Sequence, residues 1–184
     1  MTPAPSNLVL IGMPGSGKST VGVILAKQTA CGFVDTDLLI QEAERRPLQA
    51  IVDTDGYLAL RDIEERILLG LRVRHHVVAT GGSAVYSDRA MAHLKADGLV
   101  IFLDVDLALL EARIHDYSTR GLAKRPDQSL AELFAERVSL YTRYADIAIQ
   151  CTAGMSQEAV CARIVQETRR FGGAACLWSA PPGP

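Results

Sequence analysis

The chain has 184 residues, the size of one domain with a full core, and only 5% are aromatic, so Leu, Val, Ile and Ala must build the interior. Its 19 Lys and Arg against 21 Asp and Glu leave a net charge of −2, which argues against a polybasic nucleic-acid or membrane binder. No apolar run approaches the ~18 residues of a membrane span, the start lacks an export signal, and Cys31, Cys151, Cys161 and Cys176 form no C-x-x-C pair, so a cytoplasmic chain with reduced thiols is expected.

In chain order, Leu8-Val9-Leu10-Ile11 reads as a short buried strand that ends in a glycine-rich turn. A helix pattern covers Thr20 to Thr29, and Phe33-Val34 is a second short strand. Helical stretches follow at Leu38–Arg45 and Leu48–Val52. A longer one spans about Tyr57 to Arg72, where Leu60, Ile63, Ile67 and Leu71 recur at spacings of three and four. His76 to Thr80 is a third strand, closed by Gly81-Gly82. Ser87 caps a helix to about Ala96, and Leu99 to Leu103 is the clearest strand. A helix from Leu107 to His115 leads into a polar stretch, Asp116 to Gln128. Ser129 and Glu132 form a capping box for a helix to about Tyr144. Ile147–Cys151 is the last strand and Ser156–Arg170 the last helix.

Apolar strands alternating with helices imply a mostly parallel sheet covered on both faces. Ligands of such folds bind beyond the carboxyl ends of the strands, so the residues following each strand are where chemistry is expected.

The first such place holds Gly12-Met-Pro-Gly-Ser-Gly17-Lys18-Ser19, a full match to G-x-x-x-x-G-K-[ST]. Chance would produce about 0.006 such matches in a chain of this length. The glycines let the backbone curl its N–H groups toward a phosphate, and the helix start adds partial positive charge. Gly12, Gly15, Ser16, Gly17, Lys18, Ser19 and Thr20 are therefore the expected nucleotide-binding residues. Lys18 would reach the β and γ phosphates and Ser19 would ligate Mg²⁺. No N-K-x-D base-reading motif follows, and the chain has little room for the parts of a motor ATPase. A small-molecule kinase using ATP and Mg²⁺ fits best.

Further motifs then occur in order: Asp35-Thr-Asp37, Asp55-Gly56 leading to Leu60-Arg61-Asp-Ile-Glu64, Thr80-Gly81-Gly82, a polar stretch with Arg120, Ala135-Glu136-Arg137, Leu140-Tyr141, and Ala145-Asp146. From residue type alone, Asp35 and Asp37 share one side of an extended chain at the sheet's carboxyl edge, with a turn or helix cap as the alternative, and Asp37 can also cap the helix after it. Arg61 and Glu64, one helical turn apart, equally make a solvated surface pair.

In these motifs, from about Leu8 to Gln150, the chain resembles the shikimate kinase family. The resemblance implies a nucleoside-monophosphate-kinase-like P-loop α/β fold with a five-stranded parallel sheet of order 2-3-1-4-5, flanked by helices. It implies transfer of the γ-phosphate of MgATP to the 3-hydroxyl of shikimate, in the pathway to aromatic amino acids. It assigns Asp35 to the Mg²⁺ shell and Asp37 to the acceptor hydroxyls as candidate base. Arg61 and Arg137 would grip the acceptor carboxylate, a planar group that a guanidinium fork suits. Glu64 would hold Arg61. Gly81 and Gly82 would let the acceptor approach the backbone, Arg113 would lie near the nucleotide, and Arg120 on a lid at about 116–128 would reach the transferring phosphoryl group. Lys18, Asp37 and Arg120 are the expected catalytic residues.

The chain departs from the family pattern around the acceptor. Ser83 stands where a third glycine is usual, Gly121 where the lid usually has proline, Val52 and Leu60 where phenylalanine is usual, and Tyr57 where glutamate is. Two alternatives therefore stay open: a related kinase for another hydroxylated acid or sugar, and a nucleotide-binding module without phosphotransfer. One kinase domain over residues 1–171, a flexible tail at 172–184, and a monomer with a small-molecule substrate and no nucleic-acid or membrane partner are expected.

Overall fold

The computed structural model describes residues 5–113 and 121–170. Arg120, part of the stretch read as a lid and the tail 172–184 lie outside them. Five parallel strands form one sheet in the order β2-β3-β1-β4-β5, as the resemblance implied. They are β1 (Asn7–Ile11), β2 (Gly32–Asp35), β3 (His76–Ala79), β4 (Gly98–Val105) and β5 (Ile147–Cys151). Every residue of β1 is buried, and it pairs with β3 and β4 (Leu10 opposite Ala79 and Ile101). That central position explains its unbroken apolar run. The edge strand β5 instead alternates buried and exposed residues.

The helices are α1 (Lys18–Thr29), α2 (Thr36–Glu44), α3 (Leu48–Gly70), α4 (Asp88–Lys95), α5 (Leu107–Arg113), α6 (Leu130–Tyr144) and α7 (Gln157–Arg170). Helix α1 packs on α7 and β3, and α3 on α2 and α4. The expected caps are present: Ser87 accepts the Ala90 N–H, and Ser129 with Glu132 closes a full capping box. The two stretches expected at Leu48–Val52 and Tyr57–Arg72 form one kinked element. The break is Gly56 at φ 87°, ψ 165°, a conformation glycine adopts without a Cβ clash. Helix α2 starts two residues before its expected Leu38, because Asp35 acts as N-cap and accepts the Asp37 N–H at 3.0 Å. The 3₁₀ turn Ala84–Tyr86 was not foreseen; three residues are too few to show a period.

One apolar core surrounds the sheet, and a smaller one (Ile40, Ile51, Leu60, Ala123) sits beneath the acceptor end with Leu48, Val52 and Tyr57 against it. Cys151 and Cys161 are free and buried. Cys31 is disulfide-bonded, which corrects the expectation of four reduced thiols; the lack of a C-x-x-C pair excludes only bridges close in sequence. No helix among the described residues is long and apolar enough to cross a membrane.

Candidate active site

The carboxyl ends of the strands open into one cavity of about 590 Å³. Its floor is the phosphate loop. Gly17, at φ 98°, caps α1 in the left-handed region, so the chain turns from loop to helix without strain. Lys18 is buried and folds back across the loop, donating to the Gly12 carbonyl at 2.8 Å and the Met13 carbonyl at 2.9 Å. Burial pushes its ammonium down to about 8, against the pull of Asp37. The Ser16 hydroxyl is buried with no hydrogen-bond partner. An orphan of that kind inside an N–H-rich loop suits a phosphate oxygen. Gly15, Gly17, Lys18, Ser19 and Thr20 line the cavity, while Gly12 and Ser16 shape the loop behind its wall.

Strand β2 brings Asp35 and Asp37 to the same edge. Asp37 lines the cavity and Asp35 does not. Burial raises the Asp37 carboxyl above its usual range; the Lys18 ammonium opposes this and Asp35 reinforces it. Among the described residues no group of three or more His, Cys, Asp or Glu side chains gathers to hold a metal. The donors present, the Ser19 hydroxyl and the Asp35 carboxylate, match what Mg²⁺ takes from a nucleotide site. It keeps several waters, uses one or two protein oxygens and completes its shell with phosphate oxygens. Asp35 ends β2 and accepts the Asp37 N–H, so it stands one residue from the start of α2 at the same edge of the sheet as Asp37.

On the acceptor side the glycine pair and two arginines meet. A Cβ on Gly81 would strike Glu64 Oε1 and lie 2.7 Å from Asp37 Oδ1. A Cβ on Gly82 would lie 2.8 Å from Arg137 Nη1. The pair therefore lets two carboxyls and a guanidinium crowd one strand end. Arg137 is 1% exposed. It donates through Nη2 to the Ala123 carbonyl at 2.8 Å, and Arg61 Nη2 donates to the same oxygen at 3.0 Å. Two guanidinium groups from distant elements thus converge on one acceptor atom. Arg61 itself lines a smaller adjoining cavity of about 250 Å³ with Glu64, Ser83 and Tyr86, and Arg137 lines the main one.

Contrary to the expectation, Glu64 does not hold Arg61. The Ser83 hydroxyl donates to Glu64 Oε2, and Glu64 Oε1 and Arg61 Nε are both buried without partners. Burial, and next the charge of Asp37, push the Glu64 carboxyl up to about 7. A carboxyl this dry takes the nearest hydroxyl donor, and Ser83 supplies it.

Leu60 lines the cavity with Ile40, Leu48 and Leu122, while Val52 packs in the small core beneath. Neighbouring aliphatics thus fill around these smaller side chains. Gly121 sits at φ 59° and gives its N–H to Gln49 Oε1 at 2.7 Å, so this segment is tied to the start of α3. Arg113 lines the main cavity, as do Met155 and Gln157. The last two were missed, although they follow β5 at the ligand-bearing edge and the strand-end rule pointed there. Tyr86 and Glu136 were missed as well.

The family model for shikimate kinase matches residues 14–169. The chain is 35% identical to the shikimate kinase of Thermosynechococcus vestitus over 164 residues, 88% of each chain. It is 37% identical to that of Rippkaea orientalis over 163 residues, 87% of this chain and 86% of the relative. The structure is similar to that of the shikimate kinase from Acinetobacter baumannii in complex with shikimate, with a TM-score of 0.83 and 28% identity, covering 91% of this chain and 94% of that one. The sheet order agrees with these matches, which run along most of the sequence, and the chain belongs to the shikimate kinase family.

Proposed function

We propose that the chain transfers the γ-phosphoryl group of ATP to the 3-hydroxyl of shikimate, with Lys18, Asp37, Arg61 and Arg137 as its working residues. The observation that carries this reading is the convergence of Arg61 and Arg137 on one oxygen, the Ala123 carbonyl, beside the buried Lys18 and Asp37. Two guanidiniums aimed at one acceptor atom are ready to take a carboxylate in its place.

In this reading the phosphate loop holds the β and γ phosphates against Lys18. Asp37, its proton affinity raised by burial, orients the acceptor hydroxyl and takes its proton as the oxygen bonds to phosphorus. The bond from phosphorus to the β-phosphate oxygen breaks, and ADP leaves with that electron pair. Mg²⁺, held through Ser19 and Asp35 when bound, neutralises phosphate charge. Arg113 lies near the nucleotide. Arg120, outside the described residues, completes the proposal as the cation on the transferring group. The same proposal covers a lid over about 116–128 and a monomer in the cytoplasm.

A coupled ADP-release assay with MgATP, with and without shikimate, tests it. Shikimate-dependent turnover that disappears in Lys18→Ala is expected. ATP binding without any response to shikimate would overturn it. A different hydroxylated acid is the second reading, motivated by the aliphatic wall of Leu60, Ile40, Leu48 and Leu122. Higher kcat/KM on such a compound would establish that one.

A further inference from the structure

Tyr86 ends the 3₁₀ turn that follows the glycine pair. Its ring centroid lies 3.5 Å from the guanidinium carbon of Arg61 and 5.4 Å from that of Arg137. At the shorter distance the guanidinium stacks directly on the ring face. The Tyr86 hydroxyl donates to Glu136 Oε1 at 2.6 Å and accepts from Arg137 Nε at 3.4 Å. Glu136 is itself held by Gln128 Nε2 at 2.7 Å. One side chain therefore contacts both arginines and is anchored at its far end.

What makes this matter is what the arginines lack. Among the described residues neither forms an ion pair within 4.0 Å. Arg61 Nε has no partner at all, and the neighbouring charge of Arg137 works against the Arg61 cation while Tyr86 favours it. A carboxylate partner would neutralise these charges and compete with an incoming acid. An aromatic face holds a guanidinium and leaves its N–H fork available.

We propose that Tyr86 is a positioning residue that presets Arg61 and Arg137 for the acceptor's carboxylate, through its ring face and its hydroxyl. It touches no reacting atom. The proposal rests on the reading of both arginines as carboxylate grips.

The test is steady-state kinetics on wild type, Tyr86→Phe, Tyr86→Leu, Arg61→Lys and Arg137→Lys. Each is assayed with shikimate and with an analogue that keeps the ring hydroxyls but lacks the carboxylate. Tyr86→Leu should raise the KM for shikimate about three- to thirtyfold, the scale of a lost cation–π contact. Its kcat and its KM for ATP should stay within twofold, and its preference for shikimate over the analogue should fall by the same factor. Tyr86→Phe keeps the ring and should recover most of the KM. If Tyr86→Leu does not fold, Tyr86→Met, also without a π face, takes its place with the same expectation. A KM for shikimate within twofold of wild type, or equal rises in both substrates' KM, would overturn the role of Tyr86. If the two Arg→Lys variants leave KM and carboxylate preference unchanged, the grip reading itself fails and this proposal with it. If they raise KM while Tyr86→Leu does not, Tyr86 alone is refuted.

Discussion

Replacing Gly82 by alanine tests how closely the acceptor end is packed. A Cβ built there lies 2.8 Å from Arg137 Nη1, and 2.8 and 2.9 Å from Cδ and Cγ of Pro14. Ordinary contact begins near 3.4 Å, so each neighbour must retreat by roughly 0.6 Å, the excess that overpacking relieves by moving side chains or backbone. Neither neighbour is free to do so. Arg137 is tied to the Ala123 carbonyl and the Tyr86 hydroxyl, and Pro14 belongs to the phosphate loop. The strand end cannot back away either, because the Tyr141 hydroxyl donates to the Gly82 carbonyl at 2.6 Å. Overpacking of this kind costs about 1–3 kcal/mol. Expressed in the geometry of Arg137 and the loop, it lowers kcat/KM for shikimate about 5- to 150-fold. The control is Gly70→Ala, where a Cβ meets nothing within 4 Å. There kinetics should not change and the Tm should rise slightly, since alanine is the better helix residue. The assay is coupled ADP release at saturating ATP with varied shikimate. A folded Gly82→Ala variant whose kcat/KM stays within twofold of wild type would refute the argument that this contact sets Arg137.

The buried charges carry two pH predictions. Glu64 titrates near 7 in the folded chain against 4.5 as its ordinary value, so the folded state binds the extra proton between those values. Its stability contribution is present below pH 4.5 and lost as pH rises through 7, a swing of about 3 kcal/mol. Glu64→Gln removes the swing, so its Tm relative to wild type should be higher at pH 8 than at pH 5; parallel curves would refute it. Lys18 has the opposite sign. It titrates near 8 folded against 10.5, so the unfolded state binds more protons in that interval and wild-type stability rises with pH there. Lys18→Met should lose turnover by about a thousandfold. Its Tm relative to wild type should fall as pH goes from 7 to 10, and a constant difference would count against the burial argument. Gly121→Ala places a Cβ 2.5 Å from the Leu48 carbonyl carbon and 2.6 Å from the Gln49 nitrogen, at a φ of 59°. Backbone cannot yield as a side-chain tip does, so urea unfolding should show a loss of about 2–4 kcal/mol. A loss below 1 kcal/mol would refute the close approach of Gly121 to the Leu48 and Gln49 backbone.

The phosphate loop was legible residue by residue because its chemistry is local: five lining residues fall within Gly15–Thr20 of one strand-turn-helix unit. The acceptor side is assembled from Asp37, Arg61, Gly82 and Arg137, which no spacing rule connects. They were legible through the family resemblance alone. What neither route reached has no signature in residue type. The oxygen joining the two arginines is a backbone carbonyl at Ala123. Tyr86 reads as one more apolar residue of a three-residue turn. Glu64 and Arg61 have helical spacing, yet burial decided against their pairing.

The departures around the acceptor gain a physical sense once their contacts are traced. Ser83 brings a hydroxyl that donates to Glu64, and Glu64 makes no bond to Arg61. Arg61 then rests on Tyr86 at 3.5 Å, with the Tyr57 ring 5.2 Å from its guanidinium carbon. At position 57 tyrosine offers this guanidinium a π face where a glutamate would offer a carboxylate. Gly121 also makes a contact of its own. Proline cannot adopt a φ of 59° or donate an N–H, and the bond to Gln49 restrains this segment in its place. Ser83, Tyr57 and Gly121 thus each make a local contact of their own, to Glu64, Arg61 and Gln49, around Lys18, Asp37, Arg61 and Arg137.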